Sequence, residues 1–338
     1  MMRRRGFSLI ELLIVVFIIF LLISIILPSI SSSREAARRV GCINNMRQIG
    51  LGIHNYKFTH NVIVPGRIWR SGENPCGLVP GDECQDTPWQ ALLLPHLEQQ
   101  RLYNSINMEV GTWGPGASGY LSNSGVIATT LTAFRCPSDG AGSFQFPSSI
   151  ADASISGVVA SRCNYAANWG NTTWSQHDLE GKSGAAHLRS PFGHRANVRD
   201  EQISDGLSQT VFVAEVRCGA ENDVRGAFWI SQAGSSMYMS GLTPNGITHR
   251  YGLNEGRGDY LVAPQLCVDN PKDGLPCTGN PQGLPGPTFA GSRSGHPGGV
   301  NALMGDGSIQ FRRNSISPDV WIAIHTISGR EIVDGRGY

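Results

Sequence analysis

The chain has 338 residues, with 27 Lys+Arg against 26 Asp+Glu and only 16% charged residues. A formal charge of +1 gives no electrostatic footprint for nucleic acid. The 42 glycines and 19 prolines favour short strands joined by turns over long helices. The roughly 280 residues after position 60 fill one large domain or two small ones.

The N-terminus is the most specific segment. Arg3, Arg4 and Arg5 lead to Gly6, Phe7 follows, and Glu11 precedes an apolar run over 12–27. Residues 7–30 carry one carboxylate and no base. A helix of about 20 residues crosses a hydrocarbon core of about 30 Å, so this stretch is long enough to span. A secretory signal has an apolar region of only about 7–15 residues and a small-x-small cleavage site after it. Here Pro28 and Ser31–Ser33 follow without that pattern. The simpler reading is a plain N-terminal anchor, but a carboxylate inside a membrane helix is costly and needs a partner. The rule of excess positive charge on the cytoplasmic side is nearly tied, because Arg34, Arg38 and Arg39 flank the far end.

Residues 3–28 resemble the class III signal of type IV prepilins and type II secretion pseudopilins. The resemblance implies cleavage after Gly6 by a membrane-embedded prepilin peptidase, methylation of Phe7, and pairing of Glu11 with the free amine of a neighbouring subunit. It also orients the chain: a single-pass protein of the inner membrane, with the bulk of the chain periplasmic or on the cell surface once assembled. Loss of residues 1–6 would take the charge from +1 to −2, so the leader arginines are not a DNA-binding patch.

The helix is expected to continue over 31–60. Ala36, Val40, Ile43, Met46, Ile49, Ile53 and Tyr56 recur at three- and four-residue spacings, which makes one apolar stripe. Arg34, Arg38, Arg39, Arg47 and Gln48 mostly lie away from it. Gly41, Gly50 and Gly52 each weaken a helix by about 1 kcal/mol relative to alanine, and Pro28 is expected to bend it. Then come a Gly/Pro/Cys-rich loop over 66–86, a short helix over 89–103 interrupted at Pro95, and a strand edge with loop at 161–170. A turn and strand follow at 203–215. Residues 170–199, holding His177, His187 and His194, read as an exposed excursion, and 241–289 as a long insertion of little periodicity. No internal repeat and no second domain boundary is evident.

Eight cysteines suit disulfides in an exported chain. Cys76 with Cys84 and Cys267 with Cys277 would each staple a Gly/Pro-rich loop. The zinc alternative lacks C-x2-C and H-x3-H spacings. At the C-terminus, 300–304 and 308–311 read as two strands around the Asp306-Gly307 turn. Asp306 reads first as a turn residue; the alternative is a calcium ligand with Asp319 or Asp334, without any EF-hand spacing. No cofactor is expected unless calcium binds there. Trp321 is expected to pack on the sheet. No G-x-S-x-G, phosphate-loop or H-E-x-x-H motif nominates catalysis.

Nine residues separate His296 from Asp306-Gly307. This H-x9-DG pattern is similar to the C-terminal signature of the bacterial family called domain of unknown function 1559. Other blocks fit it: CINNMRQIGLGIHNY from Cys42, WQALLLPHLEQQRLY from Trp89, CPSD from Cys136, NYAAN from Asn164 and ISDGLSQTVFVAE from Ile203. The resemblance implies an α+β, pilin-like fold. A long N-terminal helix, with a membrane half (7–30) and an amphipathic half (31–60), packs on an antiparallel β-rich exported domain (61–338) that ends in the H-x9-DG segment (292–335). By resemblance alone, Cys42 would pair with Cys136, and Cys163 with Cys218. The implied role is a structural subunit of a homo- or hetero-filament with other pilin-like subunits, and not an enzyme. The alternative is a permanently anchored surface protein that binds a glycan or protein partner through 170–199 and 241–289.

Overall fold

The structure, a computed structural model, describes residues 8–69, 86–112, 121–140, 142–145, 157–174, 189–193, 198–248, 257–261, 264–279 and 288–329. Gly6, Phe7, Cys76, Cys84, His177, His187, His194 and Asp334 lie outside them.

Helix α1 runs unbroken over Leu9–His60, 52 residues, or about 78 Å. It continues through Pro28 without a break. It starts with Glu11 Oε2 accepting the Ser8 N–H at 2.9 Å and ends at Asn61, left-handed with φ 57°. Leu9–Leu27 is apolar, long enough to cross a membrane, and wholly exposed. The second half is docked by Cys42, Met46, Ile49 and Ile53. The expected stripe is therefore shorter than its sequence: Ala36 and Val40 face outward. Conversely Arg39 does not point away. Its guanidinium lies 3.9 Å from the centre of the Phe311 ring, where cation–π attraction and stem packing hold it.

The rest is built from short pieces, as the glycine and proline content requires. In chain order they are β1 (Arg67–Trp69), β2 (Asp86–Pro88), α2 (Trp89–Leu93), a 3-10 turn (Leu94–Leu97), α3 (Gln100–Asn104), α4 (Ser124–Ile127), β3 (Phe144–Gln145) and β4 (Val159–Ala160). Then follow β5 (Tyr165–Asn168), β6 (Val211–Glu215), β7 (Met237–Tyr238), β8 (Asp259–Leu261), β9 (Cys277–Gly279), β10 (Gly299–Met304), β11 (Ile309–Arg313) and α5 (Pro318–Ala323). Pro95 ends α2 and sets the 3-10 turn, since it fixes φ and donates no hydrogen bond.

The central sheet has the order β11-β10-β6-β5-β7. Its pairs are antiparallel except β5 with β7, which is parallel. Strand β5 was expected at an edge; it lies inside the sheet, all four residues buried. One face carries Tyr165, Val213 and Leu303 toward α1, and the other carries Ala166, Ala214, Val300 and Ala302 toward Trp321 and Ile324. The domain is thus a helix–sheet–helix sandwich. Trp321 packs on the sheet and donates its indole N–H to the Leu242 carbonyl at 2.8 Å.

The described parts of the two long loops are built into the fold. In 170–199, residues 170, 172–174 and 190–193 are buried rather than excursive: Trp174 and Phe192 fill the core, and Trp174 donates to the Ser231 carbonyl at 2.8 Å. Within 241–289, β8 pairs with β9 and the Cys267–Cys277 disulfide closes a ten-residue separation. A buried chain of charges anchors this segment. Asp223 meets Arg225 at 2.6 Å, Arg225 meets Asp259 at 3.1 Å, and Asp259 meets Arg293 at 2.8 Å. Burial alone would raise the Asp259 pKa, but Arg293 and Arg225 outweigh it and hold the carboxyl below its ordinary range.

Removing one partner of a buried ion pair strands the others without solvent. Asp259→Ala is therefore expected to destabilise the domain by about 3–5 kcal/mol. A denaturant midpoint unchanged from wild type would show that Arg225 and Arg293 find other partners.

Candidate functional site

The blocks Cys42, CPSD, NYAAN, the VFVAE strand and His296, distant in sequence, meet at one place between α1 and the sheet. Cys42, on the buried side of α1, is disulfide-bonded to Cys136 across 94 residues. The chain-entropy model gives a closed loop of that size about 4–5 kcal/mol of stabilisation. Tyr165, from β5, donates its hydroxyl hydrogen to the Cys42 carbonyl at 2.9 Å. Asn164 Oδ1 accepts the Cys136 N–H at 2.9 Å, while its amide donates to Asp139 Oδ2 at 2.6 Å. Asp139 also accepts the Cys218 N–H at 2.7 Å and pairs with Arg217 at 3.1 Å.

His296 sits beside this disulfide, 3% exposed. Its Nδ1 is 2.9 Å from Glu35 Oε1, and its Nε2 is 3.3 Å from Glu215 Oε1. Nε2 also lies 3.7 Å from Cys136 Sγ. The ring thus bridges a carboxylate of α1 and a carboxylate at the end of β6, with each nitrogen facing an acceptor. Glu35 is held in turn by Arg38 at 2.7 Å and by the Ser138 hydroxyl at 2.9 Å. Glu215 accepts the Asn301 N–H at 2.9 Å and the Asn301 amide at 2.8 Å.

The electrostatics follow the contacts. Burial would lower the His296 pKa, but the hydrogen bonds and charges of Glu215 and Glu35 outweigh it and raise the value above 6.5. Burial would raise the Glu35 pKa, but His296, Arg38 and Ser138 together hold it below 4.5. The contacts thus favour the protonated form of the His296 ring more than burial disfavours it.

The Asp306-Gly307 end of the motif reaches the same helix further along. Asp306 Oδ1 accepts the Ser308 N–H at 2.9 Å and its hydroxyl at 2.7 Å, closing the turn. Gly307 has φ +86°, and a Cβ there would stand 3.2 Å from His54 Nε2. Between the two ends, Leu303 comes so close to α1 that a Cβ on Gly50 would lie 3.0 Å from its Cδ1. Along α1, Glu35 and His54 are about 28 Å apart. The eleven steps from His296 to Gly307 can reach about 36 Å when extended. The nine-residue spacer thus matches a span on α1, with slack for the turns at each end.

Some expected assignments land elsewhere. His296, known from the sequence only as one end of the H-x9-DG pattern, joins the segment before β10 to α1 and β6. Cys163 and Cys218 are free thiols, not a disulfide. Cys163 Sγ faces the Tyr165 and Ser235 carbonyls, both at 3.9 Å, while Cys218 Sγ faces the Cys163 carbonyl at 3.6 Å and the Asn164 amide at 3.4 Å. The two sulfurs therefore address different neighbours, and burial pushes the Cys163 thiol up to about 12. Among the described residues, the cluster of three or more potential metal ligands is Cys42, Cys136, Glu215 and His296, and it does not include Asp306. Sequence reading passed over Glu35, Glu215 and Asn164. The available signal was a lone acid closing the apolar VFVA strand, and another in the REAARR segment just past the membrane half.

The His296 bridge ties stability to pH with a definite sign. A raised histidine pKa contributes fully below 6.5 and is lost as pH rises through the folded value. A lowered Glu35 pKa contributes above 4.5 and is lost as pH falls through the folded value. The stability difference between wild type and His296→Asn, followed by denaturant unfolding, should be largest between these two values and narrow in alkali. A difference that stays flat into alkali would mean a neutral ring.

Comparison with known families matches these features in two blocks. Residues 31–319 match the family described as a protein of unknown function, DUF1559, and residues 1–27 match the prokaryotic N-terminal methylation motif. No curated protein and no solved structure matches the chain. The methylation motif and the apolar helix mark a membrane-anchored, single-pass, pilin-like or pseudopilin precursor. Since the family match covers the docked half of α1, the sheet, His296 and Asp306-Gly307, the chain belongs to the DUF1559 family.

Proposed function

We propose that this protein is a structural, non-catalytic subunit of a type IV pilus-like or type II secretion-like filament. The observation that carries the proposal is α1 itself. The methylation motif feeds a helix whose first half is wholly exposed and whose second half is clamped to the domain. Leu9–Leu27 would sit in the inner membrane before assembly and in the filament core after it. Residues 1–6 would be the leader removed by the prepilin peptidase, and Phe7 the methylated N-terminus. The domain would lie in the periplasm or on the cell surface.

Two further features support packing between subunits. Val40, Leu51 and Phe58 are 56%, 64% and 89% exposed on the docked half of α1. At 100° per residue they fall within about 20° of one line, which Arg47 shares, so a neighbouring helix would cover three apolar side chains and the Arg47 stem between them. Glu11 accepts only a backbone N–H, from Ser8, among the described contacts. A neighbour's amine would replace that neutral donor by a charged one, forming a shorter and stronger bond.

Intact mass and N-terminal peptide spectra of protein from its native membrane should give a chain that starts at Phe7 with one added methyl. Glu11→Ala should remain membrane-bound and leave the sheared filament fraction at least about tenfold depleted, the loss of roughly 1.4 kcal/mol of pairing. A chain that retains Met1, or a Glu11→Ala variant that assembles like wild type, would overturn the filament reading.

A further inference from the structure

The Cys42–Cys136 disulfide occupies a place built like a metal centre. One ligand atom from each of Cys42, Cys136, Glu215 and His296 lies within 4.8 Å of all the others, and all four residues are buried. A tetrahedral zinc ion with bonds of about 2.0–2.3 Å places its ligands roughly 3.3–3.7 Å apart. His296 Nε2 already stands 3.3 Å from Glu215 Oε1 and 3.7 Å from Cys136 Sγ. The bonded sulfurs, 2.12 Å apart, are the pair that would have to separate.

The surroundings fit the same chemistry. Zinc-binding histidines commonly donate the other ring N–H to a carboxylate, which fixes the tautomer. His296 Nδ1 is 2.9 Å from Glu35 Oε1, leaving Nε2 aimed at the cluster. Asn301 grips Glu215 through both its backbone N–H and its amide, so that carboxylate is oriented too. A ligand set of two thiolates, an imidazole and a carboxylate is a zinc-type donor set and not a calcium one.

We propose that the Cys42–Cys136 disulfide masks a four-ligand site for zinc or a similar divalent cation, made of both cysteines, His296 and Glu215, which opens when the bond is reduced. A dithiol supplies two electrons and two protons. The S–S bond breaks, the two cysteines become thiols, and the dithiol is oxidised to its own disulfide. Metal binding then displaces both thiol protons and the proton on His296 Nε2, while Nδ1 keeps its hydrogen toward Glu35. Either state clips α1 to the domain: the oxidised one by a covalent bond to the Cys136 segment, the reduced one through a metal shared by α1, that segment, β6 and the segment before β10. This inference concerns the clip and stands apart from filament assembly.

The test uses the full-length protein in detergent micelles, with Co2+ and Zn2+ as probes. A phosphine reductant, oxidised to its oxide with oxygen from water, keeps the thiols open. The reduced protein should bind one Co2+ and show a thiolate-to-cobalt charge-transfer band with tetrahedral d–d bands; the oxidised protein should show neither. Zn2+ should protect Cys42 and Cys136, but not the remaining cysteines, from alkylation mapped by mass spectrometry. Glu35→Gln should weaken Co2+ binding about 10–100-fold. The mapping needs no variant, so it decides the matter even if Cys42→Ala/Cys136→Ala fails to fold. Equal binding by oxidised and reduced protein, protection confined to other cysteines, or no binding after reduction would overturn the proposal.

Discussion

The structure depends on how one helix, apolar over half its length, is kept in place over the other half. His296 supplies the central contact, bridging Glu35 of α1 and Glu215 of β6, beside a disulfide that ties α1 to Cys136. Burial disfavours the charged form of that ring, and the two acidic side chains that face it offset the cost. Those carboxylates are in turn satisfied by Arg38, Ser138 and Asn301. Leaving any member unpaired would incur the desolvation cost of an uncompensated charge, so the cluster specifies one docking geometry more than it adds net stability.

From that anchor the C-terminal hairpin lies along α1 as a measured strip. His296 fixes one end, Leu303 meets Gly50 in the middle, and Gly307 approaches His54 at the other end. The glycines of the helix therefore have two opposite effects. Each lowers intrinsic helix stability, yet Gly50 admits Leu303 and Gly52 admits Leu97, where a Cβ would lie 2.9 Å from the Leu97 side chain. Burial of Met46, Ile49 and Ile53, at about 1.5–3 kcal/mol for each side chain, offsets that local loss. A rod that must leave the domain as a continuous helix is thereby held only along its second half.

The remaining architecture serves this docking indirectly. Strand β6, wholly apolar except for Glu215, sits at the middle of the sheet. The sheet is backed by Trp321 and Ile324 from the far side, which fixes the plane on which α1 lies. The Asp223–Arg225–Asp259–Arg293 chain carries the 241–289 segment and also sets the approach to His296, since Arg293 stands three residues before it.

The sequence alone determined what depends on local pattern. A 19-residue apolar run is long enough for a helix that can span a bilayer, Pro95 marks the end of α2 because it fixes φ and donates no hydrogen bond, and Asp306-Gly307 makes a hairpin turn because glycine accepts positive φ. The three- and four-residue periodicity identified Met46, Ile49 and Ile53 as the docked face. Tertiary structure alone decided the matters that rest on residues far apart. Periodicity could not say that Ala36 and Val40 are left exposed, because where a partner surface ends is not encoded in the spacing of one helix. Composition made 170–174 look like an exposed loop, yet Trp174 is buried, since an aromatic ring finds its pocket only when distant segments close over it. Nothing local joins Glu35 to His296 across 261 positions, or keeps Cys163 and Cys218 apart while Cys42 and Cys136 bond. The direction of a side chain in three dimensions, set by the packing of the whole sheet against α1, decided each of these.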